Sequence, residues 1–205
     1  MNRKNNSFFI RFYNHSYNFI FKKINNIQID KFESKFSVKE KIKYLDHSTA
    51  LHTAWLLNLK KLYELAKTNL DIRNYHFLDV GCGNGIPLIY AYKKLVFESY
   101  SGFDFVTNYI NITKLNIENS IENKNIKVFN ADASNYRLED KSHFIFMFNP
   151  FDGFIMDKFI QNNYENLVKN KSIIGYANCK QLEIIKRYTD NILEINKFKL
   201  AVCFF

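Results

Sequence analysis

The sequence predicts an α/β protein built on a doubly wound, mostly parallel seven-stranded sheet that closes with an antiparallel hairpin. Three observations carry this expectation. From Tyr75 to Phe205, short apolar runs alternate with helical stretches, which is the rhythm of βαβ units. Several runs, such as His143 to Phe148, are apolar almost throughout, as strands covered on both faces must be. The last two runs, Ile192 to Ile195 and Leu200 to Phe205, follow each other with only Asn196 to Lys199 between them, too short for a crossover helix and right for an antiparallel pair.

Taken in order, residues 1–29 hold no acidic side chain and no clean periodicity, and Lys31 to Lys43 is charged with isolated apolar positions, the pattern of a connector. The first strong helix is expected over Ser48 to Ala66. Ser48 is a suitable N-cap, and Leu51, Trp55, Leu59, Leu62, Leu65 and Ala66 recur at helical spacing. His47 and His52 fall on different sides of that helix and read as surface or capping residues. Strands are then expected at Tyr75–Val80, Ser99–Phe105, Ile126–Asn130, His143–Phe148 and Ser172–Ala177. Helices are expected at Ile86–Leu95, at Asn108–Ser120 with Ile112, Leu115 and Ile117 on or near the buried face, at Phe154–Val168 and at Gln181–Tyr188. This divides the chain into an N-terminal extension, residues 1–45, and one domain, residues 46–205.

Composition narrows the class. At 47% hydrophobic and 24% charged residues over 205 positions, a disordered tail, a collagen-like repeat and a coiled coil are excluded as the main body. Asn, Lys, Ile, Phe and Tyr are enriched together, which reads as compositional drift. The net charge is +9, but residues 1–43 hold ten Lys or Arg against Asp30, Glu33 and Glu40, so little of it belongs to the main body. That segment suits contact with anionic surfaces or nucleic acid, and equally a solvated, Lys-rich flank. Its aromatics Phe8, Phe9, Phe12, Phe19 and Phe21 are placed either for attachment to a membrane surface or for packing on the domain behind them. Arg11, Asn14, His15 and Asn18 interrupt every apolar run there, so neither a signal-peptide core nor a membrane span is expected. Cys82, Cys179 and Cys203 are too few and too scattered for a disulfide framework or a zinc site. A cytoplasmic setting and no metal are expected.

The chemistry concentrates at Asp79-Val80-Gly81-Cys82-Gly83-Asn84-Gly85. It lies between the first strand of the alternating region and the helix that follows, where a doubly wound sheet binds its ligand. Glycines there permit positive φ and close backbone approach. An acidic residue ending the next strand accepts hydrogen bonds from a ribose diol, and Asp104 stands 19 residues beyond Gly85, near the spacing of ~20 that this geometry requires.

This loop resembles the first signature motif of the class I (Rossmann-like) S-adenosylmethionine-dependent methyltransferases, a resemblance that extends over Tyr75 to Phe205 and its terminal hairpin. The spacing of Gly81, Gly83 and Gly85 departs from the dinucleotide fingerprint, which disfavours a nicotinamide-dependent oxidoreductase. The resemblance implies S-adenosylmethionine as cofactor. Gly81 and Gly83 would lie under its methionine and ribose, with Cys82 and Gly85 completing the loop. Asp79 would help to orient the amino-acid end, and Asp104 would hold the ribose hydroxyls. In Asn130-Ala131-Asp132-Ala133, Asp132 would meet the adenine amine beside Ala133, or would simply cap the next turn. Phe103 and Phe105 would flank the adenine or serve as core.

The fourth strand ends in Phe148-Asn149-Pro150-Phe151-Asp152. This resembles the Asp/Asn-Pro-Pro-aromatic motif of amine methyltransferases, with Phe151 in place of the second proline and Asp152 in place of the aromatic. An Asn-Pro-Phe ending is also similar to that of a loose bacterial group of class I methyltransferases, as is the upstream stretch Asp30 to Val38 followed by Tyr44 to Leu65. By this resemblance Asn149, Pro150 and Phe151 face the transferable methyl and align the acceptor. The expected activity is methyl transfer to a nitrogen or oxygen of a protein or small-molecule acceptor. The alternatives are a nucleic-acid amine methyltransferase and a non-catalytic SAM-binding protein. Glu118 and Glu122 read as a solvated face, Cys179 lacks a base, and His15 and His76 have no evident partner.

Overall fold

The structure is a computed structural model that describes residues 3–27, 45–48, 54–122 and 125–205. The expected connector at Lys31 to Lys43, the Asp30 to Val38 stretch, Leu51 and His52 lie outside the described residues. Seven strands form one sheet: β1 (His76–Val80), β2 (Ser99–Asp104), β3 (Ile126–Asn130), β4 (His143–Phe148), β5 (Ile173–Ala177), β6 (Ile192–Ile195) and β7 (Leu200–Phe204). Their spatial order is β3-β2-β1-β4-β5-β7-β6. The first five run parallel, and β7 is antiparallel to both of its neighbours, β5 and β6. The doubly wound sheet and its terminal hairpin are therefore as expected.

The apolar runs are explained by a period of two with both faces covered. In β1 and β4, Phe77, Phe144 and Phe146 point into one core, while Leu78, Val80, Ile145 and Met147 point into the other. The first core is closed by helices α2 (Leu56–Lys67) and α3 (Ile86–Lys94), which contribute Leu59, Leu62, Leu88 and Ile89. The second is closed by α5 (Gly153–Lys169) through Ile155, Met156, Phe159 and Ile160, with the short α6 (Leu182–Ile185) behind it. Helix α4 (Thr107–Ser120) packs on β2 and β3. Because strand order reverses between β1 and β4, the loops leaving their carboxyl ends diverge, and a crevice opens there.

The N-terminal stretch, which lacks a clean periodicity, folds as a helix, α1 (Arg3–Ile24). The expected start of the following helix also moves. Ser48 is not its N-cap but forms an antiparallel bridge with Phe151, and α2 begins at Leu56 after Trp55, whose side chain makes no cap. The cap comes from α1: Asn18 Oδ1 accepts from the Leu56 backbone N–H at 3.1 Å, and its Nδ2 donates to the Ala54 carbonyl at 2.9 Å. A distant side chain thus replaces the local serine in satisfying an orphan N–H. Among the five aromatics singled out on this helix, Phe21 enters the first core, whereas Phe8, Phe9, Phe12 and Phe19 are exposed. No helix among the described residues is long and apolar enough to cross a membrane.

At the amino ends of the central strands, away from the crevice, His76 does have partners. Its Nδ1 and Nε2 lie 2.7 Å and 2.6 Å from the hydroxyls of Ser99 and Ser101. It sits beside His143 across the β1–β4 register. Burial depresses both imidazoles, His76 to about 3 and His143 to about 4.

Candidate cofactor and acceptor site

The glycine loop rises from β1 in a conformation that only glycine adopts without strain at three positions: φ is +71° at Gly81, +53° at Gly83 and +76° at Gly85. Space makes the same demand at two of them. A Cβ on Gly81 would lie 2.7 Å from Cβ of Pro150, and one on Gly85 would lie 2.6 Å from Cγ2 of Thr113. The loop is pinned from several sides. The N–H groups of Gly81 and Cys82 both donate to the Phe103 carbonyl, each at 3.0 Å. The Gly83 N–H donates to Asp104 Oδ2 at 3.0 Å. From α4, Thr113 Oγ1 donates to the Gly83 carbonyl at 2.7 Å and Asn116 Nδ2 to the Asn84 carbonyl at 2.9 Å.

Those two contacts change the expected orientation of α4. Its inward face is Tyr109, Ile110, Thr113, Asn116 and Ile117, and Leu115 is exposed. Two polar side chains displace an aliphatic one from the interior because they saturate carbonyls that the left-handed loop cannot satisfy within itself. Thr113 and Asn116 are positioning residues that the sequence reading missed. Their signal was a pair of helix-compatible polar residues at a spacing of three, which reads equally well as a solvated face.

Asp79 sits wholly inside the protein at the base of the loop. The backbone N–H of Leu88, in the first turn of α3, donates to its carboxyl, while Oδ2 is buried without a hydrogen-bond partner. Desolvation, and then the nearby Asp104 carboxylate, push Asp79 up to about 8. An orphaned acidic oxygen beside a loop opened by three left-handed glycines fits a nucleoside that carries a cationic amino-acid end. Burial, followed by the same two carboxylates, raises the Cys82 thiol far above its ordinary range, so it is inert as a nucleophile.

Asp104, at the end of β2, is buried, with Oδ2 on Gly83 and Oδ1 accepting from the Val106 N–H at 3.0 Å. It therefore ties the loop to β2, a structural duty not visible in the spacing argument. Phe105 next to it is half-buried, whereas Phe103 stacks on Tyr136 with ring centroids 4.3 Å apart in the second core. Asp132 is half-buried and caps its own turn, Oδ1 accepting from the Ser134 N–H at 2.8 Å. Ala133 is buried beside it.

The loop after β4 approaches from the other side of the crevice. Asn149 is buried and left-handed, φ +45°, a conformation asparagine tolerates better than other non-glycine residues. Its Oδ1 accepts from the Tyr176 hydroxyl at 2.9 Å, and that hydroxyl in turn accepts from the Gln181 N–H. Pro150 abuts Gly81, and the Phe151 ring enters the second core. Asp152 caps α5, Oδ1 accepting from the N–H groups of Phe154 and Ile155. Its Oδ2 lies 2.6 Å from His47 Nδ1, and its N–H donates to the His47 carbonyl. The His47–Asp152 pair, 105 residues apart in sequence, was not foreseen. The capping role of Asp152 was readable locally, but its partner was not. Among the described residues, no cluster of His, Cys, Asp or Glu could hold a metal ion.

Residues 77–170 match the family described as "Methyltransferase domain". Among solved structures, the chain is similar to a SAM-dependent methyltransferase from Aquifex aeolicus at 17% identity and a TM-score of 0.53, covering 74% of this chain and 98% of that one. It is also similar to SMU.472, a provisionally assigned methyltransferase complexed with SAH, at 12% identity and a TM-score of 0.52, covering 71% and 51% of the two chains. YjhP from E. coli aligns at 17% identity and a TM-score of 0.44, over 58% of this chain and 48% of that one. The chain thus spans about half the length of the last two. No protein of curated function matches the sequence. Residues 77–170 are thus similar to a methyltransferase domain, and the sheet with its flanking helices has the fold of solved SAM-dependent methyltransferases.

Proposed function

We propose that this chain transfers the methyl group of S-adenosylmethionine to a nitrogen or oxygen atom of a protein or small-molecule acceptor. The observation that carries the reading is the contact between Gly81 and Pro150. It brings the cofactor loop and the Asn149-Pro150-Phe151 loop to one mouth, as methyl donor and acceptor sites must be. When bound, the cofactor supplies an electrophilic methyl on sulfur; the C–S bond breaks as the acceptor bond forms, and the acceptor's proton leaves to solvent. The protein's own task is therefore alignment.

In this reading Gly81, Cys82, Gly83 and Gly85 cradle the methionine and ribose, Asp79 meets the amino group and Asp104 the ribose diol. Asp132, Ala133 and Phe105 border the adenine. Asn149 and Pro150 line the acceptor side, Asn149 held in its left-handed turn by Tyr176, while Phe151 supports the loop from the core. A protein or small-molecule acceptor is favoured over nucleic acid because nearly all the net positive charge lies in residues 1–43 rather than on the domain that holds the site.

Calorimetric titration with S-adenosylhomocysteine, with NADH as control, tests the cofactor site; binding of the first alone is expected. Incubation of cell extract with labelled S-adenosylmethionine then tests the acceptor. Label is expected in protein or low-molecular-weight fractions and is expected to be lost with Asn149→Ala. Label released by nuclease would move the assignment to nucleic acid, and binding without any label would make the chain a SAM-binding protein without turnover.

A further inference from the structure

Helix α1 is built inside out. Its face toward the domain is half asparagine: Asn14 and Asn18 are buried beside Phe21 and Tyr17, and Asn25 is buried just past its end. Phe8, Phe12 and Phe19 share one line of the outer face, and Phe9, Tyr13 and Ile20 share the next, at steps of four and seven residues. All six are more than half exposed. The apolar surface continues into a groove of about 760 Å³ between α1 and α2, where Phe9 and Tyr13 face Leu57 and Leu65. The helix carries five Lys or Arg and no Asp or Glu. Arg11, His15 and Lys22 follow one another along one edge of the apolar face, and Lys23 lies within it.

We propose that α1 docks the protein on an anionic membrane surface, with the aromatic face in the headgroup–acyl boundary and the basic edge among the headgroups. A broad apolar face with a cationic edge is the composition of an interfacial helix, the groove on its other side is lined by Lys60, Lys61 and Glu64, and the charge of the helix is complementary to anionic lipid. A second copy of the chain is the poorer occupant, since face-to-face packing would bring two all-cationic helices together. Asn18, the Asn25 carbonyl and the Phe21 ring hold the helix on the domain while its apolar side remains outward. Asn18 caps α2, Asn14 and Asn25 donate to carbonyls one turn back, and the Asn25 carbonyl accepts from Ser120.

The test is flotation of the full chain with vesicles of phosphatidylcholine alone and of phosphatidylcholine with a quarter phosphatidylglycerol. The wild type is expected to float with the second and not the first. Phe8→Ser/Phe12→Ser/Phe19→Ser should lower partitioning by more than about tenfold. Arg11→Gln and Lys23→Gln should each lower it by about fivefold. The thermal transition of every variant should stay that of the wild type, since the altered side chains are exposed. Failure of the wild type to float overturns the proposal, and so does equal flotation of the triple variant. A concentration-dependent dimer that disappears in the triple variant, without vesicle binding, would assign the face to a second copy and overturn it as well.

Discussion

Replacing Asp79 by Asn is expected to stabilise the protein while weakening its hold on the cofactor. The carboxyl is buried, one oxygen has no partner, and it titrates near 8 in the folded state against ~3.9 for an unfolded aspartate. The folded state therefore keeps a proton that the unfolded state loses, and stability falls as pH rises from about 4 to about 8. At pH 7 this difference costs about 4 kcal/mol at ~1.4 kcal/mol per pH unit. Asparagine is neutral at every pH and avoids that cost. Its amide protons, buried without acceptors, offset about 1–3 kcal/mol of the gain, which leaves a net stabilisation of about 1–3 kcal/mol. Urea unfolding at pH 6.5 and at pH 8 gives the cleanest reading. Between these values Asp79 alone should lower wild-type stability by about 1.5 kcal/mol relative to the variant, because the histidine contributions are common to both proteins. The same variant should bind S-adenosylhomocysteine about 10- to 100-fold more weakly, the worth of a charge-assisted hydrogen bond to its amino group. Parallel pH profiles for the two proteins would refute the argument, since they would mean that the buried carboxyl is ionised and compensated in the fold.

Thr113→Val removes the hydroxyl that donates to the Gly83 carbonyl at 2.7 Å. It should cost about 1–3 kcal/mol in urea unfolding, and calorimetry should show weaker S-adenosylhomocysteine binding. The depressed His76 and His143 must take up protons on unfolding in acid. Their contribution is complete above pH ~6.5 and is lost as pH falls toward 3 to 4, by about 2 kcal/mol each at pH 5. His76→Gln should flatten about half of that acid dependence in denaturation at pH 5 and 7. Asn18→Ala uncaps α2 from a distance and should lower stability by about 1–2 kcal/mol, measured by thermal unfolding, with cofactor affinity unchanged.

The order of strands and helices and the place of the glycine loop were legible because each is written in adjacent residues. Period-two apolar runs, left-handed glycines and an acidic strand end are local constraints, and local sterics enforce them wherever the chain goes. The start of α2 was misread for the complementary reason. Ser48 satisfied every local rule for an N-cap, yet Asn18 does the work from 38 residues away, and no local rule reports that. α1 lacked a readable core face because Asn14 and Asn18 share its inward side with Tyr17 and Phe21, while most of its aromatic residues point to solvent.

The sequence by itself thus determined the sheet, its helical layers and the left-handed glycine loop after β1, since backbone sterics and alternating burial act over a few residues. Tertiary structure decided what holds that loop and what faces it. Thr113 and Asn116 grip its carbonyls from α4, Tyr176 clamps Asn149, and His47 pairs with Asp152. Each satisfies a buried or half-buried polar group with a partner at least 27 residues away, and only the folded chain brings such partners within hydrogen-bond reach.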